Sequence, residues 1–139
     1  MKDIVLRLIV ISLFIISWFT VAQVTAQTQI NIPPPAGSAR FGGVATLPNG
    51  NIIISDSEFS LPTAPFTPNV GAVYVYNGAT GAMISRLTGS NAGDRIGGAV
   101  VLPNGNFVVL SNTWNNFRGA IAYCTAQPDA MALFLPPIR

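Results

Sequence analysis

The sequence contains no histidine and a single cysteine, and only 9% of its 139 residues are charged. Without imidazole there are no histidine acid–base pairs, no histidine metal ligands and no serine–histidine–aspartate arrangement of the usual kind. One cysteine allows no internal disulfide, so packing must hold the fold together. Cys124 reads as a small buried hydrophobe in a strand, since no basic residue lies near it in sequence to make it a reactive thiol. Helical periodicity is missing after Gln27, and 13 glycines and 11 prolines argue against any long helix.

What the chain does have begins with a targeting signature. Lys2 and Arg7 form a short basic start, and residues 8–19 read LIVISLFIISWF. That apolar run is too short to span a bilayer comfortably as a helix. Behind it, Val24-Thr25-Ala26 offers small residues where a signal peptidase would cut, leaving Gln27 as the new N-terminus. An uncleaved anchor is the weaker reading, because polar Gln23, Thr25 and Gln27 follow with no basic stop-transfer cluster. The expected destination is the cell surface or the medium, with membrane contact only through the signal before cleavage. Once Lys2 and Arg7 are removed, five arginines face four acids. Arg40, Arg86, Arg95, Arg118 and Arg139 are scattered and form no stripe, so no nucleic-acid partner is expected.

The remainder repeats itself. At an offset of 55, RFGGVATLPNGNIII (residues 40–54) lies over RIGGAVVLPNGNFVV (residues 95–109), and the match continues to Phe59 over Trp114. The first copy then has a longer loop. At an offset of 48, GAVYVY (71–76) lies over GAIAYC (119–124) and AMISRL (82–87) over AMALFL (130–135).

Each copy reads as four short strands. In Leu-Pro-Asn-Gly-Asn, the Asn-Gly pair lies between two β-rich runs and suits the positive φ values of a tight hairpin turn. The expected strands are 43–47, 51–55, 72–76 and 82–87 in the first copy, and 97–102, 106–111, 120–124 and 130–135 in the second. Pro48 and Pro103 fall at strand ends, where a missing N–H costs no interior ladder bond. Ile52-Ile53-Ile54 and Phe107-Val108-Val109 are apolar on both faces, and the valines and tyrosines of Val73-Tyr74-Val75-Tyr76 point to opposite faces. Such strands need cover on each side.

Candidate chemistry is sparse. Asp56 and Glu58, two apart in an extended segment, share a face and offer a carboxylate pair, but the second copy has Ser111 and Thr113 there. A solvated loop start is the expected role. Asp94 and Arg95, in a turn between copies, are expected to be exposed and to pair with little gain in stability. The Gly-Gly pairs at 42–43 and 97–98 lead into no helix and precede no lysine, so they are read as close backbone approach and not as phosphate loops. The loop SEFSLPTAPFTPNV (57–70) differs most between copies and carries Phe59 and Phe66, while Trp114 and Phe117 occupy the corresponding loop of the second copy. These four aromatics are the candidate contacts for a protein or glycan. The equivalent pair Phe59 and Trp114 is expected to pack between the blades instead.

Phe41-Gly42 with Gly71-Ala72-Val73-Tyr74-Val75-Tyr76, and in the second copy Ile96-Gly97 with Gly119-Ala120-Ile121, resemble the FG-GAP blades of integrin α-subunit propellers and their bacterial relatives. The LPNGN wording, with NGATGAMISRLTGS at 77–90, is similar to a group of bacterial secreted repeat proteins of unknown role. The resemblance covers nearly all of the mature chain and implies blades of a β-propeller. Many FG-GAP blades carry an aspartate-rich calcium loop, but the turn Pro48-Asn49-Gly50-Asn51 has no carboxylate, so no metal site is carried over. Closed propellers use about four to eight blades, so two imply either further blades or self-association of copies.

The expected architecture is therefore all-β: two four-stranded antiparallel β-propeller-type blades, a partial propeller, behind a signal peptide. The expected divisions are a signal at 1–26, a linker at 27–39, and blades at 40–94 and 95–139. The expected role is a secreted or cell-surface binding or adhesion module with no catalysis, no catalytic residue and no cofactor. The alternatives are a fragment of a propeller glycosidase or lyase, and a truncated remnant of a longer repeat protein.

Overall fold

The computed structural model describes residues 29–126 and the strand Leu133–Leu135. The signal stretch, its cleavage point and the expected start of the last strand at 130 lie outside the described residues. Eight strands form two four-stranded antiparallel sheets in simple meander order. The first holds β1 (Gly43–Thr46), β2 (Ile52–Asp56), β3 (Ala72–Tyr76) and β4 (Met83–Thr88). The second holds β5 (Gly98–Val101), β6 (Phe107–Ser111), β7 (Ala120–Cys124) and β8 (Leu133–Leu135). The expected strand count and order hold in both copies; β3 and β7 match their expected bounds, and the other ends that fall on described residues differ by one residue or none.

The LPNGN turn has the same construction in both copies, and of its Asn-Gly pair only the glycine takes the expected positive φ. Leu47 N–H donates to the Asn51 carbonyl at 2.8 Å and Gly50 N–H to the Leu47 carbonyl at 2.9 Å, leaving a three-residue Pro-Asn-Gly loop. Leu102, Asn106 and Gly105 repeat these bonds at 2.8 and 3.0 Å. Only the glycines take positive φ, +84° at Gly50 and +83° at Gly105. The reason is local: proline presets the first turn position, the asparagine side chain accepts the N–H two residues on, and glycine takes the left-handed step. Those side-chain bonds, Asn51 N–H to Asn49 Oδ1 and Asn106 N–H to Asn104 Oδ1, are both 3.1 Å.

Strand register sorts the side chains into faces. Ala45, Ile53, Val75 and Ser85 lie abreast across the first sheet, as do Gly43, Ser55, Val73 and Leu87. This face packs on Ile96, just before β5, and on Phe107, Val109, Ala122 and Cys124 of the second sheet, forming one apolar core between the sheets. A parallel bridge joins the backbones at Gly71 and Ile96, which approach so closely that a Cβ at position 71 would lie 2.2 Å from the Ile96 N and O atoms. Glycine is the residue that permits this join.

The first sheet's outer face, with Ile54, Tyr74, Ile52 and Tyr76, has its own cover. Ile32 and Phe41 from the preceding segment, and Phe59 and Leu61 from the β2–β3 loop, pack against it. Phe41 and Phe59 meet the Tyr74 ring edge-on, at centroid distances of 5.7 and 6.2 Å. The Tyr74 hydroxyl is buried beside Ser38, and neither hydroxyl reaches a hydrogen-bond partner of good geometry. Burial pushes the Tyr74 phenol upward, with the Ser38 hydroxyl and the Arg86 guanidinium pulling the other way.

The second sheet has no such cover among the described residues. Gly98, Leu110 and Ile121 lie abreast, as do Val100, Val108 and Tyr123. Val100, Ile121 and Tyr123 are 47, 59 and 44% exposed. Of the two outer faces, the chain's own residues thus close the first sheet's, while the second sheet's is open among the described residues.

Candidate functional site

Meander connectivity places the loops at two opposite ends. The two LPNGN turns and the β3–β4 turn share one end. The long β2–β3 loop, the connector from β4 to β5 and the β6–β7 loop share the other.

At the loop end the chain stitches its three segments together through backbone bonds. Gly93, Arg95 and Ile96 N–H groups each donate at 3.1 Å, to the carbonyls of Pro68, Asn69 and Val70. The connector and the β6–β7 loop are joined at Asp94, whose carbonyl accepts from the Ser111 hydroxyl and, at 2.8 Å, from the Thr113 hydroxyl. Ser111 Oγ in turn accepts the Trp114 N–H at 3.0 Å.

Of the three acids singled out from sequence, Asp56 and Asp94 are buried and committed to holding loops. Asp56 is fully buried, where a solvated loop start was expected. Its carboxylate accepts N–H groups from Ala39 at 3.0 Å, Arg40 at 2.9 Å and Glu58 at 3.1 Å. Glu58 pairs instead with Arg40 at 3.4 Å on the surface. Asp94 is also buried, and its carboxylate accepts the Ser90 and Asn91 N–H groups at 3.0 and 2.9 Å, with no ion pair to Arg95. Both Asp56 oxygens accept backbone N–H groups, and Asp94 takes two at Oδ2, so these carboxylates act as anchors for the loops.

The aromatics divide. Phe59 is buried with the Arg86 guanidinium 5.7 Å from its ring centre, but on the first sheet's outer face and not between the sheets. Trp114, its equivalent, is half-buried at the start of the β6–β7 loop. Phe66 and Phe117 are 66 and 81% exposed.

Phe117 stands on an unusual piece of backbone. Asn115, Asn116 and Phe117 have φ of +49°, +58° and +65°, a left-handed turn closed by bonds from Phe117 and Arg118 N–H to the Thr113 and Trp114 carbonyls. Side chains other than glycine lose roughly 1–2 kcal/mol per residue in this region, asparagine least. Phe117 recovers none of that through burial. Arg95, across the gap, is also left-handed at +48°. These residues, with Asn91, Ala92, Gly93, Asp94 and Thr113, line an open cleft of about 610 Å³. Sequence reasoning found Phe117 but missed the turn that presents it. Consecutive Asn-Asn, the residues most tolerant of left-handed backbone, was the available signal.

A second cleft of about 570 Å³ lies between the two LPNGN turns, lined by Asn49, Asn51, Asn104 and Asn106. Its amides are largely occupied. Asn49 and Asn104 brace their own turns, and Asn106 bonds the Tyr123 hydroxyl and the Ala126 N–H. Cys124 is buried, and burial pushes its thiol up to about 11, so it is inert at neutral pH. Among the described residues no group of three or more acids and cysteines is placed to hold a metal ion.

Comparison with known families gives one match: residues 101–130, from the end of β5 past β7, fit a repeat of unknown function, DUF5650. No curated protein and no solved structure was found to match the chain.

Proposed function

We propose that this is an exported repeat protein, built of FG-GAP-like blades, that acts as a binding module through its loop end and carries out no catalysis. The observation behind this reading is Phe117, a large apolar side chain held in solvent on strained backbone beside a cleft. Strain that no packing repays marks a place selected for something other than stability. Of the carboxylate pair that a hydrolase would use, Asp56 is buried in backbone bonds and Glu58 pairs with Arg40 on the surface, which supports binding over turnover. The signal stretch supports an extracellular or cell-surface setting.

The test uses the mature chain, residues 27–139, and cell envelopes of the producing organism in a sedimentation assay. Wild type is expected to co-sediment, Phe117→Ala to remain in solution and Ile121→Ser to behave as wild type. Equal retention of wild type and Phe117→Ala would overturn the loop end as the contact surface.

A further inference from the structure

The two clefts differ in whether their polar groups are free. At the turn end the asparagines mainly brace turns and one another. At the loop end the side-chain amides of Asn115 and Asn116 have no hydrogen-bond partner among the described residues, and Asn91 uses only its NH₂ group there, on the Ser90 hydroxyl at 3.2 Å. Among the described residues Arg95 is the one cation lining the cleft, and it forms no ion pair with any of them. The one acid lining it among the described residues, Asp94, is buried, and its Oδ2 accepts the Ser90 and Asn91 N–H groups. The wall therefore offers an exposed aromatic ring, several unused amides and one guanidinium, beside a single buried carboxylate that two N–H groups hold at Oδ2.

We infer that this cleft binds a saccharide that carries a carboxylate, such as a uronic-acid polymer. Phe117 supplies the flat apolar surface against which the C–H face of a sugar ring packs. Asn91, Asn115 and Asn116 offer acceptors and donors for hydroxyl groups, which need both. Arg95 meets the carboxylate through its forked donors, a match that a neutral sugar cannot make. An open cleft suits a chain passing through it better than a small metabolite, which is usually enclosed on most sides. The strained turn holds the ring and amides in place before binding, so less freedom is lost when the ligand arrives. This inference rests on the loop-end reading above and adds the ligand's chemical class.

Titration calorimetry with oligogalacturonate, oligoalginate and a neutral cello-oligosaccharide of equal length tests it. Wild type is expected to prefer the acidic ligands by about tenfold, with the preference shrinking as salt is raised. Arg95→Gln is expected to abolish that preference alone, and Phe117→Ala to weaken acidic and neutral ligands together by at least about tenfold. Melting curves unchanged from wild type establish that both variants fold. Equal wild-type affinity for acidic and neutral ligands, or an Arg95→Gln protein that keeps the preference, overturns the assignment. If no saccharide binds while envelope retention still depends on Phe117, the saccharide inference falls and the loop-end reading stands; if that dependence is also lost, both fall.

Discussion

The strands β3 and β7 occupy the same place in the two repeats, yet one is buried on both faces and the other on one. All five residues of β3 are buried, whereas in β7 Ala120, Ala122 and Cys124 are buried and Ile121 and Tyr123 face out. Their sequences, AVYVY and AIAYC, are apolar at nearly the same positions. The difference therefore comes from what lies outside each sheet. The first sheet has residues 32–41 and the β2–β3 loop over it, fastened through Asp56; the second has no counterpart among the described residues. A repeat specifies the sheet, and its flanking segments decide how each face is covered.

The comparison is most strongly broken at Asp56. Asp56→Ala leaves three N–H groups without their acceptor and frees the segment over the outer face, and it is expected to lose about 3 kcal/mol in chemical denaturation. Ser111→Ala, the equivalent change in the second repeat, is expected to lose about 1 kcal/mol. Next come the repeat-equivalent core positions. Val73→Ala should lose about 2 kcal/mol, whereas Ile121→Ala, on the open face, should change stability by less than about 0.5 kcal/mol. A large loss at Ile121 would mean that the face is covered in solution.

The turn glycines sharpen the comparison from the other side, since they mark what the repeats share. Gly50→Ala and Gly105→Ala should each lose about 1–2 kcal/mol, and by similar amounts, because both occupy the same left-handed step. The smallest effect concerns pH. Cys124 is ordinary when unfolded and pushed to about 11 when folded. Its contribution is therefore fully present below about pH 9 and is lost as pH rises toward 11, because only the unfolded thiol has then released its proton. Cys124→Ala should flatten that part of the stability–pH curve, and iodoacetamide should label the native thiol slowly at pH 7.

The strand plan, the two sheets and the burial of Cys124 were legible because they rest on local signals: repeated LPNGN turns and apolar patterning. The Asp56 anchor was not, because its partners are backbone N–H groups 16 and 17 residues upstream, at Ala39 and Arg40, and a backbone donor has no sequence signature. Asp94 was read as exposed because it sits in a turn, but the turn folds back over its own carboxylate. Phe59 was placed between the sheets by its equivalence to Trp114. It lies on the outer face because the first copy's longer loop carries it there. Of the candidate site, Phe117 was legible from its loop, while Arg95 and the asparagines join it only when the connector is brought against the β6–β7 loop.

The unequal cover of the two sheets is tested most directly by hydroxyl-radical footprinting of the protein, read residue by residue by mass spectrometry. Ile121 and Tyr123 are expected to be oxidised readily, and Tyr74 and Tyr76 to be protected until the protein unfolds. Protection of all four would contradict an open second face, and oxidation of all four would contradict the closed first one.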